Sequence, residues 1–354
     1  MLANCRFVSA ARAVPRHLAF LATLCVAFLL AGTAGKVSAQ SIQLRVVDST
    51  TMLPLNGALV ALLDRQGAVV AEALSSAAGF PAFTAPAGSY RVRVRRIGYR
   101  PYVSDMVELS GRRALTIVVQ SEPVVLSTIV ISARTSCRSL GSARSQALAT
   151  VWGEATKALE ASRLTLADLE GIGRAWTYTK TVGVGDEEDR SDTTYFTVVN
   201  QRPFGAIDPD VLASGGYVVG NAEAGWSYYG ADETVLLSPS FARTHCFRLV
   251  RERGQPGLIG VSFEPVRGRK TADIAGIVWL DQATSELRRM VFRYVNAGLI
   301  SEHGGGGETH FLHLPSGAWL ISSWRLRAPV LEYRIRGIRP IGFQENGGGL
   351  LHPG

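Results

Sequence analysis

The sequence predicts a mostly β protein: an N-terminal seven-stranded antiparallel β-sandwich, then an α+β portion with one helix and an antiparallel meander. Three observations predict it. Residues 41–133 break into about seven short apolar runs separated by Gly- and Pro-containing turns, with no helical period. Residues 139–165 carry apolar side chains at three- and four-residue spacing. Beyond residue 173, runs of strand composition flank short turn sequences, as in hairpins.

Residues 1–39 read as a signal peptide. Arg6, Arg12 and Arg16 precede the apolar run "LAFLATLCVAFLLAG", and Val37-Ser38-Ala39 offers a cleavage site before Gln40. The apolar run is shorter than the roughly 20 residues of a spanning helix. The reading is therefore an exported protein, periplasmic or outer-membrane associated, with no transmembrane span once the signal is removed. Those 39 residues hold four of the 37 basic residues and no acidic ones, leaving 33 against 29 acidic, a net charge of about +4. No Lys/Arg cluster interleaved with aromatics remains, which speaks against nucleic acid as a partner.

The strands of residues 40–133 follow in order: "SIQLRVVD", "LVALLD", "VVAEAL", "FPAF", "SYRVRVR", "YVSDMVEL" and "ALTIVVQ". In the fifth, Tyr90, Val92 and Val94 alternate with Arg91, Arg93 and Arg95, placing the arginines on the outer face, read here as a solvated surface. Pro54-Leu55-Asn56-Gly57-Ala58, Gly79-Phe80, Pro86-Ala87-Gly88-Ser89-Tyr90 and Gly98-Tyr99 occur in an order that resembles the carboxypeptidase regulatory-like domain, a transthyretin-like seven-stranded sandwich. In enzymes that carry it this module is an accessory outside the catalytic domain, so the resemblance implies no hydrolysis. The same module precedes the plug of TonB-dependent outer-membrane receptors, where "VVLSTIVISA" (124–133) would lead into the plug. The roughly 220 residues that follow are too few for plug and barrel and lack repeated transmembrane alternation.

Residues 134–172 read as a helical connector, with Ala147/Leu148, Val151/Trp152, Ala155 and Leu159 on one stripe and a capping-box shape at Thr165 and Asp168 starting a further turn. Residues 173–343 read as an antiparallel β-rich domain. "AWTYTKTV" and "TTYFTVVNQ" flank the acidic loop "GDEEDRSD"; "GIVWLD" and "ELRRMVFRYV" flank "QATS"; "THFLHL" and "WLISSWRLRAP" flank "PSGA". "LEYRIRGI" reads as an edge strand, and residues 344–354 as a flexible Gly-rich tail. The second and third hairpins resemble a region that accompanies such sandwiches in bacterial exported proteins. They are also similar to periplasmic lipoprotein-carrier folds, in which a curved sheet wraps an apolar groove.

The motifs of catalysis are missing from the sequence. It holds no H-x-x-E, no H-E-x-x-H and no G-x-S-x-G, so zinc peptidase and serine hydrolase readings fall away. His310 and His313, in a strand, point to opposite faces and share no metal site. "HGGGGE" (303–308) lacks the Lys-Ser/Thr of a phosphate loop and reads as flexible. No catalytic, cofactor-binding or metal-ligating residue is assigned. Cys137 and Cys246, the two cysteines left beyond residue 39, suggest one disulfide closing a loop of roughly 109 residues, worth about 4–5 kcal/mol, the alternative being two separate buried thiols. Trp226, Tyr228 and Tyr229 in "GNAEAGWSYYGADE" read as loop aromatics for stacking on a sugar or peptide. The expected function is a non-enzymatic binding or scaffolding module of the cell envelope, its partner an envelope protein, a carbohydrate or a peptide. The alternatives are a lipid or lipoprotein carrier and an unrecognised hydrolase.

Overall fold

The structure is a computed structural model that describes residues 40–76, 80–122, 126, 146–168, 174–183, 190–197, 207–221, 225–251, 254, 256–334 and 337–351. Residues 1–39, Gly79, residues 124–133 apart from Leu126, Cys137 and residues 185–189 of the acidic loop lie outside it, while that loop's last residues, Arg190 to Asp192, belong to a strand.

The sandwich is built from β1 (Gln40–Asp48), β2 (Leu59–Leu63), β3 (Val69–Leu74), β4 (Ala82–Ala85), β5 (Gly88–Arg95), β6 (Tyr102–Val103), β7 (Val107–Leu109) and β8 (Arg112–Val119). One sheet runs β4-β1-β8; the other runs β3-β2-β5-β6, with β7 also on β5. Ile42, Leu44 and Val46 project from β1 between the sheets to meet Val60 and Leu62 of β2, Val92 and Val94 of β5, and Ile117 and Val119 of β8. One pairing departs from the antiparallel expectation: β1 and β8 are parallel, Leu44 beside Leu115. Alternation places a strand's side chains on a face but says nothing about the direction of its neighbour.

Next comes α1 (Gln146–Asp168), and its position revises its reading as a connector. Leu148, Val151, Ala155 and Leu159 are buried in the core of the C-terminal sheet. Its opposite side meets the sandwich, where Glu160 pairs with Arg95, Arg163 with Glu72, and the Lys157 ammonium donates to the Tyr99 carbonyl oxygen at 3.4 Å. The helix is thus a middle layer, and it runs unbroken through Thr165. That hydroxyl accepts from the Trp319 amide at 3.2 Å. The arginine row is corrected with it: Arg91 is exposed, but Arg93 and Arg95 are half-buried beneath α1.

The remaining chain forms β9 (Arg174–Gly183), β10 (Arg190–Thr197), α2 (Pro209–Gly215), β11 (Val218–Asn221), β12 (Gly225–Tyr228), α3 (Glu233–Leu236), α4 (Pro239–Thr244), β13 (His245–Arg251), β14 (Leu258–Pro265), β15 (Asp273–Asp281), β16 (Leu287–Val295), α5 (Leu299–Glu302), β17 (Gly306–His313), β18 (Trp319–Arg334) and β19 (Gly337–Leu351). Nine of these strands make one antiparallel sheet, ordered β10-β9-β19-β18-β17-β16-β15-β14-β13. The three expected hairpins are all present.

The expected edge strand and loose tail are corrected. β18 and β19 are long central strands, and residues 344–349 are paired on both sides, with β18 and with β9. The glycines there make room for aromatic rings. A Cβ on Gly347 would lie 2.3 Å from the Tyr178 ring, and one on Gly349 3.0 Å from the Trp176 indole nitrogen. The 303–308 stretch is corrected for a similar reason. Gly306 and Gly307 begin β17, and a Cβ on Gly307 would meet the Phe292 ring at 2.6 Å.

Candidate functional site

The β11–β12 hairpin stands beside the nine-stranded sheet and is fastened to it by backbone. The Tyr217 amide donates to the Ala272 carbonyl (2.8 Å), and the Tyr229 amide donates to the Tyr217 carbonyl (2.9 Å). Gly216, at φ +93°, allows this approach, since a Cβ there would lie 2.6 Å from the Ala272 oxygen. Val218 faces Tyr228 across the hairpin and Gly220 faces Trp226, so both aromatics share one side. With no side chain opposite it, the Trp226 indole forms a lip, 38% exposed.

Behind that lip lies a groove of about 370 Å³, walled by Val218, Ala272, Ala297, Leu299, Ile300 and Leu331. Asn296 also lines it, but its amide nitrogen donates to the Arg269 and Thr271 carbonyls (3.1 and 3.4 Å) and so shapes the turn. The groove can take an apolar group of a ligand and exclude water from it; among the described residues its walls carry no acid–base pair.

A charged network braces the groove from within. Asp273, fully buried at the start of β15, pairs with Arg269 and lies 3.2 Å from His245 Nε2. Arg269 also donates to the Ala213 carbonyl at 2.6 Å, tying α2 to the sheet. Burial, then the Asp273 charge, raises the Tyr217 phenol far above its ordinary value. Burial does the same to Tyr294, whose hydroxyl donates to the Tyr229 carbonyl at 3.1 Å.

Of the aromatics singled out in the sequence, Trp226 alone borders the groove. Tyr228 packs on Tyr294 with ring centroids 5.8 Å apart, and Tyr229 lies half-buried against the core. The three belong to a hairpin and the turn after it, not to a loose loop. Sequence reasoning missed the opposing wall, from Asn296 to Ile300. Its one local signal is "VNAGL", an Asn and a Gly that take positive φ of 59° and 53° and end β16.

Cys246 is buried on β13; Cys137 lies outside the described residues. His313 Nδ1 donates to Glu286 Oε1 (2.9 Å), while His310 Nε2 lies 2.8 Å from Glu308 Oε1, so the two imidazoles have separate partners. Among the described residues no three His, Cys, Asp or Glu side chains converge as a metal site, and no helix is long and apolar enough to cross a membrane.

No curated protein matches the chain. Solved structures similar to it include a minor pilin of Streptococcus agalactiae, at 16% identity and a TM-score of 0.22 over 27% of this chain and 49% of the pilin. The chain thus spans about half the length of that pilin. The major pilin subunit of Bacillus cereus is 9% identical at a TM-score of 0.22 over 87% of this chain and 95% of its own. A DUF1329 family protein from Desulfovibrio piger is 12% identical at 0.23, over 55% and 93%. At such scores the fold described above rests on the chain's own geometry. The N-terminal match is of another kind: residues 41–122 fit the family model of the carboxypeptidase regulatory-like domain, and that is the family of the sandwich.

Proposed function

We infer that this is an exported, non-catalytic protein of the cell envelope that binds or scaffolds a partner, and that the Trp226 groove receives an apolar side chain of an extended peptide. The observation that carries the reading is the filling of the nine-stranded sheet. Phe247, Phe263, Val278 and Met290 are buried with the apolar stripe of α1, so the helix occupies the face that a lipid carrier would keep open. The two-stranded β11–β12 sheet has outer edges to which a peptide backbone can add while a side chain enters the groove.

Export is supported by residues 1–39, with their basic start, apolar run and small-residue cleavage pattern. The compartment is the periplasm or the outer-membrane surface. The domain organisation that goes with this reading is a sandwich to about residue 133, α1, and the sheet from about 173. A Cys137–Cys246 bridge belongs to it, supported by the disulfide-bonded state of the buried Cys246.

A second reading has one observation in its favour: the apolar walls at Leu299, Ile300 and Leu331 suit an acyl chain as well. Native mass spectrometry of the protein from its own envelope fraction, before and after organic extraction, separates the two. A bare chain two hydrogens below its reduced mass is expected, and a co-purifying lipid would move the assignment to the carrier. Titration with an acetylated Gly-Leu-Gly amide should change the fluorescence of the wild type but not of Trp226→Phe. The all-glycine peptide should be silent in both.

A further inference from the structure

A second concavity, of about 130 Å³, lies where the sandwich, α1 and the sheet meet, and it shares no residue with the Trp226 groove. Each layer contributes to it: Leu59 and Arg96 from the sandwich, Lys157 from α1, and Glu286, His313 and Trp319 from the turns and strands of the sheet. Such a volume holds about four water molecules. It therefore suits a small ion or a short acid and is too small for a sugar chain.

The cations in and around this cleft differ in how fully they are paired. The Lys157 ammonium is 2.7 Å from Glu154 Oε1, and both side chains are buried. The Glu286 carboxylate receives His313 Nδ1 at 2.9 Å and Arg288 at 3.2 Å. Arg288 is shared with Asp281 Oδ2 at 3.1 Å. Arg96 has no carboxylate partner among the described residues: its guanidinium lies over the Tyr99 ring, 5.0 Å from the centroid, and hydrogen-bonds the Tyr99 side chain, which leaves its remaining N–H groups open. Of the three N–H bonds of Lys157, Glu154 and the Tyr99 carbonyl take two. The His313 ring stacks on Trp319 (4.7 Å, 15°), which fixes its plane at the cleft wall and leaves Nε2 as the nitrogen that Glu286 does not engage.

We propose that this cleft binds the oxyanion of a small ligand, a carboxylate or a phosphate, with Arg96 as the anchoring cation, the third Lys157 N–H as the flanking donor, and the stacked His313 and Trp319 rings as the wall. A cation over an aromatic face stays partly desolvated and keeps its N–H edge for an anion. Because the two cations come from the sandwich and from α1, which packs on the sheet, the bound anion fastens the sandwich to the layer beneath it, and binding adds to stability by mass action.

The test is a titration of the folded protein with sodium phosphate and with sodium acetate, against sodium chloride at equal ionic strength, followed by thermal unfolding and by the Trp319 indole N–H resonance. The expected result is saturable stabilisation together with a saturable shift of that resonance. Arg96→Gln should weaken binding at least tenfold, and Arg96→Lys should keep part of it. Saturation by phosphate alone points to a phosphorylated ligand, and by acetate alone to a carboxylic acid. An effect no greater than that of chloride, unchanged binding in Arg96→Gln, or a wild-type Trp319 resonance that stays still would each overturn the assignment. The outcome is independent of the groove, which is read at Trp226.

Discussion

Replacing Gly57 by Ala tests the docking of the sandwich on the sheet more sharply than any charge change. Gly57 (φ +66°) and Gly317 (φ +85°) touch backbone to backbone, the first in the sandwich and the second in the β17–β18 turn. A Cβ on Gly57 would lie 2.4 Å from the Gly317 oxygen and 2.5 Å from its Cα. Backbone cannot swing aside as a side chain can, so the two layers must part or the turn must deform. The left-handed conformation alone costs an L residue about 1–2 kcal/mol, and overpacking adds about 1–3 kcal/mol. Gly67, also left-handed at φ +87° but with nothing within 4 Å of its Cβ, isolates the first contribution. Urea unfolding should therefore place Gly67→Ala about 1–2 kcal/mol below the wild type and Gly57→Ala about 2–5 kcal/mol below it, compared at equal m-values. Equal losses in the two variants, within about 0.5 kcal/mol, would refute the docking argument.

Three further outcomes follow from the interior. Asp273→Ala leaves Arg269 without its buried counter-charge and should cost about 3–5 kcal/mol in chemical denaturation; a loss under 1 kcal/mol would show that the network does not brace the sheet. Stability should fall as pH rises above 10, because the unfolded chain then ionises its phenols while buried Tyr217 and Tyr294 keep their protons, at up to about 1.4 kcal/mol per pH unit for each. Tyr217→Phe should flatten that decline, and a slope identical to the wild type would contradict the burial argument. Gly347→Ala should displace the Tyr178 ring from the sheet and lower stability by about 1–3 kcal/mol, measured by thermal unfolding with near-ultraviolet circular dichroism as the readout of the ring.

Local pattern was sufficient where it met its own partner nearby. The alternation of Ile42, Leu44 and Val46, the glycine turns and the hairpins around "QATS" and "PSGA" encode pairings that close within a few residues, and all are present. Trp226 was legible as an exposed aromatic among glycines, and Gly220, close in sequence, faces it across the hairpin. The facing wall from Asn296 to Ile300 was not, because it lies some 70 residues away and is brought there by Asp273 and the Ala272 carbonyl.

Composition misled at the glycine runs. "NGGGL" has the make-up of a loose tail, yet those glycines are the only residues flat enough to sit beneath Tyr178 and Trp176. By itself the sequence determined the sandwich strands, the three local hairpins, the amphipathic helix and the family of the sandwich, since these follow from spacing along one chain. Tertiary structure alone decided that α1 lies between the sandwich and the sheet, burying Arg95 against Glu160 and opening a cleft at Arg96. A helix with apolar groups on one side and matched charges on the other can cover a surface or be covered by one, and only long-range packing chooses between them.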